Sequence, residues 1–190
     1  MITIIKFYPE ESKRIIDFFG YCKGDRKEII INQDFVIVTN MTSAYTIIND
    51  CTKYDYVEGN ENDFTGHILI KEKLPKTNKK FRDILEIEIT PNDSIALIKC
   101  LGKAIECECI KSNTDNLINL FFPIGANCYK NVINNFISYN DIKLFKKLFP
   151  EGNNLQMYQL KQDDPIYMLH ENNLSLDGNN NFFVFMPLVS

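Results

Sequence analysis

A chain of 190 residues, 45% of them hydrophobic, can bury a sizeable core as one large domain or two small ones. No apolar run approaches the roughly 20 residues that span a bilayer, and Met1 leads straight into ITIIKFY with no basic leader or apolar signal core, so a soluble cytoplasmic protein without a membrane partner is expected. A net charge of −4 argues against a nucleic-acid binder built on an overall basic surplus, although a basic lining inside an acidic body escapes a net sum.

ITIIKFY is rich in β-branched residues and predicts a strand. Pro9 follows, where a first helical turn tolerates proline. EESKRIIDFFGYC then puts acidic residues in the opening turn and an apolar stripe at Ile15, Ile16, Phe19 and Cys22, which predicts a short amphipathic helix. EIIIN, DFVIVTN and AYTIIND are three short extended runs divided by polar turn residues. Between residues 50 and 83 the pattern is weaker: GNEND is loop-like, GHILI predicts a strand, and the basic connector KEKLPKTNKK predicts a flexible loop at 71–80.

ILEIEI alternates as a strand. TPNDSIALIKCLGK offers an Asp or Ser cap, apolar periodicity and a terminating Gly102, which favours a helix over the rival reading of SIALIKC as a strand in a meander. AIECECI alternates as a strand, and NLINLFFPI has strand character. NVINNFISY predicts a strand, NDIKLFKKLF a helix capped at Asn140 or Asp141, and LQMYQLK, PIYMLHE and NFFVFMPLV three closing strands. The order suggests three imperfect rounds of strand, helix and strands, a structural repeat of about 60 residues in an α+β protein. A division into 1–83 and 84–190, or one continuous domain, fits it.

The six cysteines lack any C-x-x-C pair, and ECEC puts Cys107 and Cys109 on one strand face, so buried free thiols are expected rather than disulfides or zinc ligands. His67 and His170 fall on separate strands, and no H-E-x-x-H, G-x-S-x-G or Gly-rich phosphate loop occurs. Neither a catalytic site nor a cofactor is expected.

Two stretches resemble the DNA polymerase sliding clamps. MITIIKFYPEESKRIIDFFGYCKGDRKEIIINQDFVIVTNMTSAYTIIND is similar to the opening strand-helix-hairpin-strand motif of a clamp domain. NNFISYNDIKLFKKLFPEGNNLQMYQLKQDDPIYMLHENN and the terminal FVFMPLVS resemble the last motif of bacterial-type clamps, with a strand, a short helix, two strands and an apolar final strand ending near Met-Pro. Together they cover about half the chain. Residues 51–135 match no motif of the family.

The resemblance implies a non-catalytic processivity factor. Antiparallel sheets would form the outer wall of a homo-oligomeric ring around double-stranded DNA, and helices would line its hole. It also implies a polymerase or clamp loader as partner and head-to-tail contacts that extend sheets between subunits. Known rings hold twelve strand-and-helix motifs, so three per chain would need four copies, and two per chain with an insertion would need six or would form no closed ring. A hole that tolerates any sequence calls for cations on the inward helices. The candidates are Lys13 and Arg14 on the first helix, Lys99 and Lys103 on or after the second, and Lys143, Lys146 and Lys147 on the third. Such lysines are also what the solvent face of any amphipathic helix carries. Two further readings stand beside the clamp: a non-enzymatic interaction module, such as a virus-encoded inhibitor binding a host protein through its sheet edges, and a small hydrolase. Small size and heavy Asn and Lys usage suit a viral or phage protein.

Overall fold

The computed structural model describes residues 2–22, 26–48, 53–59, 64–78, 80–90, 92, 94–114, 138–150, 155–159, 165–170 and 182–185. In chain order its elements are β1 (Thr3–Phe7), α1 (Pro9–Tyr21), β2 (Glu28–Asn32), β3 (Phe35–Thr39), β4 (Ser43–Ile48), β5 (Tyr54–Glu58), β6 (Gly66–Leu69), β7 (Leu85–Thr90), β8 (Ile95–Cys100), β9 (Lys103–Lys111), α2 (Tyr139–Leu148), β10 (Leu155–Tyr158), β11 (Ile166–His170) and β12 (Phe182–Phe185). All twelve strands join one antiparallel sheet in the order β10-β11-β12-β4-β3-β2-β6-β9-β8-β7-β1-β5. The fold is α+β, and both helices contribute to a core built on one face of that sheet.

The sheet curls around α1. Six strand-to-strand steps separate β3 from β1, about 29 Å if the sheet were flat. A 13-residue helix is only about 20 Å long, yet α1 packs against both strands. Ile5, Ile87, Val36 and Phe183, from widely separated strands, therefore share one core with Ile15, Phe18 and Phe19 of α1. Long twisted sheets relieve strain by curling in this way. α1, with α2 packed beside it, covers part of this inner face.

Local chemistry places α1. Pro9 occupies its first turn, where no intrahelical N–H is needed, and Glu10 and Glu11 complement the positive end of the dipole. Ser12 is fully buried. Its hydroxyl donates to the Phe7 carbonyl at 2.7 Å and accepts from the Leu85 amide at 2.8 Å, which ties the helix to β1 and β7. At the other end Lys27 Nζ donates to the Phe19 carbonyl at 2.8 Å, satisfying a group the helix leaves open.

The expected helix over SIALIKC is instead β8, the middle strand of a meander. Ala96, Ile98 and Cys100 turn inward while Ile95, Leu97 and Lys99 turn outward, a period of two that places β8 between β7 and β9. The run is too short for a helix to hold without packing, whereas both of its edges find ladders here. Gly102, expected as a helix stop, is the second of two left-handed residues in the β8–β9 hairpin, after Leu101. The run expected to form the middle helix is therefore a strand, and the described residues hold two helices rather than three.

The two outer rounds are related in the sheet. β2, β3 and β4 form one meander, β10, β11 and β12 another, and the two meet where β12 pairs antiparallel with β4, Phe183 opposite Tyr45 and Val184 opposite Ala44. The apolar end of the chain is thus an interior strand at Phe182–Phe185, and the Met-Pro that follows lies outside the described residues. So do NLINLFFPI and most of NVINNFISY, whose final residues Ser138 and Tyr139 open α2. The cap of α2 is Ser138, which accepts from the Asn140 amide at 3.2 Å, ahead of the expected Asn140 or Asp141, both of which lie inside the helix. β5 at YDYVE was not anticipated. Its residues lack clean alternation, but it pairs with β1 through a bulge.

β6 and β9 approach with no room to spare. A Cβ added to Gly66 would lie 2.1 Å from the Ile110 carbonyl oxygen, so only glycine fits there. Of the six cysteines expected as buried free thiols, Cys100, Cys107 and Cys109 are so, Cys22 is a half-buried free thiol, and Cys51 and Cys128 lie outside the described residues. Burial pushes all four up in pKa. No described helix is long and apolar enough to cross a membrane.

Candidate nucleic-acid interface

α2 is the helix that presents a cationic face. Leu144, Phe145 and Leu148 pack into the core, so the helical period turns Lys143, Lys146 and Lys147 to solvent. Phe145 packs on Phe149 and Phe183, which fixes the rotation of the helix about its axis. Lys143 and Lys146 have no carboxylate partner among the described residues. Asp141, in the first turn, donates no charge to them: it accepts from the Ser43 hydroxyl at 2.8 Å, and burial raises its pKa despite that bond.

Asp17 of α1 joins the two helices. Its buried carboxylate accepts from Lys13 at 2.6 Å, from Lys147 at 3.1 Å and from the Thr77 hydroxyl. Burial alone would raise its pKa, but the bonds from Lys13, Thr77 and Lys147 outweigh burial and hold it below the ordinary carboxylate value. Lys13 and Lys147 are thereby partly neutralised, while the ammonium groups stay at the surface.

Arg14 links the two helices. Its guanidinium donates to Glu11 at 2.5 Å, to Glu10, and to the Leu148 carbonyl at the end of α2 at 3.0 Å, and it lies 5.2 Å from the centre of the Phe149 ring. Burial would lower its pKa, and Tyr45, Glu11 and Glu10 raise it instead. Glu11 is itself buried and also accepts from Tyr45 at 2.5 Å.

Lys99 and Lys103, expected on a helix, sit on strands. Lys99 stands in a cross-strand row with Glu86 and Lys6 on the outward face of β8, β7 and β1, bound to Glu86 at 3.1 Å and Glu88 at 2.5 Å. Burial slightly opposes ionisation of Glu86, and Lys99 and Lys6 reverse that, lowering its pKa. Lys103 opens β9 opposite Cys100, at the exposed end of the hairpin. The structure thus gathers Lys13, Arg14, Lys143, Lys146 and Lys147 around the helices and separates Lys99 and Lys103 from them.

Between the end of α1 and the connector at 73–77 lies a cleft of about 470 Å³, with Ile16, Phe19 and Leu74 in its wall and Lys73, Lys76 and Lys147 at its margin. Sequence reading identified the connector as basic but did not place it beside the helices. The signal was the lysine density of KEKLPKTNKK, and what it lacked was the Thr77–Asp17 contact that fixes its position.

No protein-family model and no curated protein matches this sequence. Solved structures do match in fold. A sliding clamp, DNA polymerase III subunit beta, from Bartonella birtlesii bound to griselimycin is 11% identical at a TM-score of 0.46, covering 100% of this chain and 66% of that one. A DNA polymerase III beta chain from Streptococcus pneumoniae TIGR4 is 8% identical at 0.48, covering 99% and 65%. A DNA polymerase sliding clamp from Pseudomonas aeruginosa is 9% identical at 0.47, covering 99% and 64%. The chain spans just under two thirds of the length of these clamps.

Proposed function

We propose that this chain is a non-catalytic, sliding-clamp-like processivity factor that closes into a homo-oligomeric ring around duplex DNA and tethers a polymerase. The observation that carries the reading is the separation of charge: Lys143 and Lys146 on α2 have no carboxylate partner among the described residues, while Glu86 and Glu88 on the outward sheet face are matched to Lys6 and Lys99. Isolated ammonium groups meet phosphates one at a time and read no base, which keeps the cost of sliding small. Arg14 differs from these lysines in that its guanidinium is engaged by Glu10, Glu11 and the Leu148 carbonyl.

The sheet order supplies a means of closure. β10 and β5 stand at its two ends, and unpaired strand edges are ready templates for another chain. Pairing β5 of one copy with β10 of the next makes a heterologous contact that repeats around a ring. Two helices per chain, the number among the described residues, would take six copies to complete a twelve-helix lining.

Light scattering combined with retention on DNA tests the reading. A closed multimer should stay on nicked circular duplex through gel filtration and run off once the circle is cut. Lys143→Glu with Lys146→Glu should abolish retention while leaving the thermal melt unchanged, since neither lysine has a carboxylate partner among the described residues. A monomer in solution, or equal retention on circular and linear DNA, would reject the ring and favour the interaction-module alternative.

A further inference from the structure

The basic connector is built to present its lysines. Leu74 packs against the core, the Thr77 hydroxyl binds Asp17, and Phe81 is buried. Each of these anchors follows a lysine: Lys73 before Leu74, Lys76 before Thr77, Lys80 before Phe81. In extended chain successive side chains point to opposite sides, so an anchored residue drives its neighbour outward. Lys73, Lys76 and Lys80 are exposed, with no carboxylate partner among the described residues. Lys71, before the first anchor, is instead held by Glu108 at 3.0 Å.

The position matters as much as the exposure. Lys73 and Lys76 share the cleft with Lys147 of α2, the helix that also turns Lys143 and Lys146 to solvent. Lys27, which also lines it, is occupied by the Phe19 carbonyl. The carboxylate in the cleft, Asp17, is already matched by two lysines. The margin is therefore cationic, and it carries ammonium point charges without an arginine fork to demand one geometry.

We infer that Lys73 and Lys76 of the connector form a second phosphate-contacting bank opposite α2, so that the duplex backbone is held from both sides of the cleft. The inference rests on the clamp reading for its ligand, and its own content is the connector's part in binding. The apolar wall of Ile16, Phe19 and Leu74 serves to seat the connector rather than to receive a base.

The test is the salt dependence of binding to a fluorescent duplex, measured by anisotropy at low ionic strength on the full chain. Each phosphate contact contributes about 0.9 to the slope of log affinity against log salt. Lys73→Gln with Lys76→Gln should therefore weaken binding and reduce the slope by about 1.8, and Lys73→Arg with Lys76→Arg should restore both. A Gln pair with unchanged affinity and slope, alongside loss of binding in Lys143→Gln with Lys146→Gln, would overturn the inference and leave the clamp reading standing. A wild-type chain with no affinity for duplex would overturn both. Displacement of the duplex by inorganic phosphate or by polyglutamate at matched ionic strength, lost in the Gln pair, would assign the cleft to a free anion or an acidic chain and also overturn the inference.

Discussion

Asp17 on α1 and Lys147 on α2 form an ion pair at 3.1 Å, and the same carboxylate holds Lys13 at 2.6 Å. One buried charge therefore joins the helices and restrains two of the surface cations that the proposal turns toward DNA. Asp17→Asn should separate these roles. Losing charge-assisted hydrogen bonds at a buried site costs about 1.5–3 kcal/mol, read as a lower urea midpoint. Releasing Lys13 and Lys147 should at the same time raise duplex affinity and steepen its salt slope. A variant that loses stability and DNA affinity together would show that the pair orders the face rather than restrains it.

The pH dependence follows from the same group. The Asp17 pKa is lowered in the folded chain, so its stabilisation is full above the unfolded value of roughly 3.9 and is lost as pH falls through the lower folded value. Asp141 runs the other way: its folded pKa is raised, so its contribution is present below the unfolded value and fades as pH rises through the folded one. Asp17→Asn should thus be less stable than the wild type at neutral pH and converge with it in acid. Chemical denaturation across acidic pH measures this, and a gap that widens in acid would contradict the assignment.

Ser12→Ala examines how α1 is seated. The substitution fits the space but leaves the buried Leu85 amide without its acceptor, and an unsatisfied buried group costs about 1–3 kcal/mol. Hydrogen exchange should show the loss at the Leu85 amide and across the β1–β7 ladder, with the β3–β4 ladder affected less. Uniform loss throughout the sheet would mean the bond is not a local tie.

Gly66→Ala should be among the most damaging small changes in the chain. Contact at 2.1 Å with a backbone carbonyl cannot be relieved by a rotamer, so β6 and β9 must part. Because this pair joins the β2 side of the sheet to the β9 side, the expected result is failure to accumulate folded protein. A stable Ala variant with native circular dichroism would show that the two strands can separate locally.

The sequence made the ends of the chain legible and the middle ambiguous, for reasons visible in particular residues. ITIIKFY, the stripe Ile15, Ile16 and Phe19, and the three β-branched runs after Lys27 each carry a strong period, and each became the element expected. SIALIKC carried capping and stop signals that both belonged to turns, because a hairpin with Gly102 at φ +69° and a helix terminus ask for the same residue. The cationic face of α2 was readable from Lys143, Lys146 and Lys147. The fate of Arg14 was not, since its partners Leu148 and Phe149 lie more than a hundred residues away. Nor could the Asp17 contacts to Lys147 and Thr77 be read, because the curl of the sheet brings them together.

That curl also determines what the apolar end of the chain does. Phe183 and Phe185 are buried, Phe183 packs edge-on against Phe18 of α1 and near Phe145 of α2, and β12 is the strand that connects β11 to β4. Removing it would detach β10 and β11 from the remainder of the sheet and uncover the face on which α2 rests. Phe183→Ala should cost about 3–5 kcal/mol, and deletion of residues 182–190 should leave the C-terminal strands and α2 unprotected in hydrogen exchange while β7, β8 and β9 retain protection longest. A truncated chain that kept a cooperative melt near the wild-type temperature would mean that β12 is dispensable to the fold, and the greasy terminus would then have to be a segment that binds a partner.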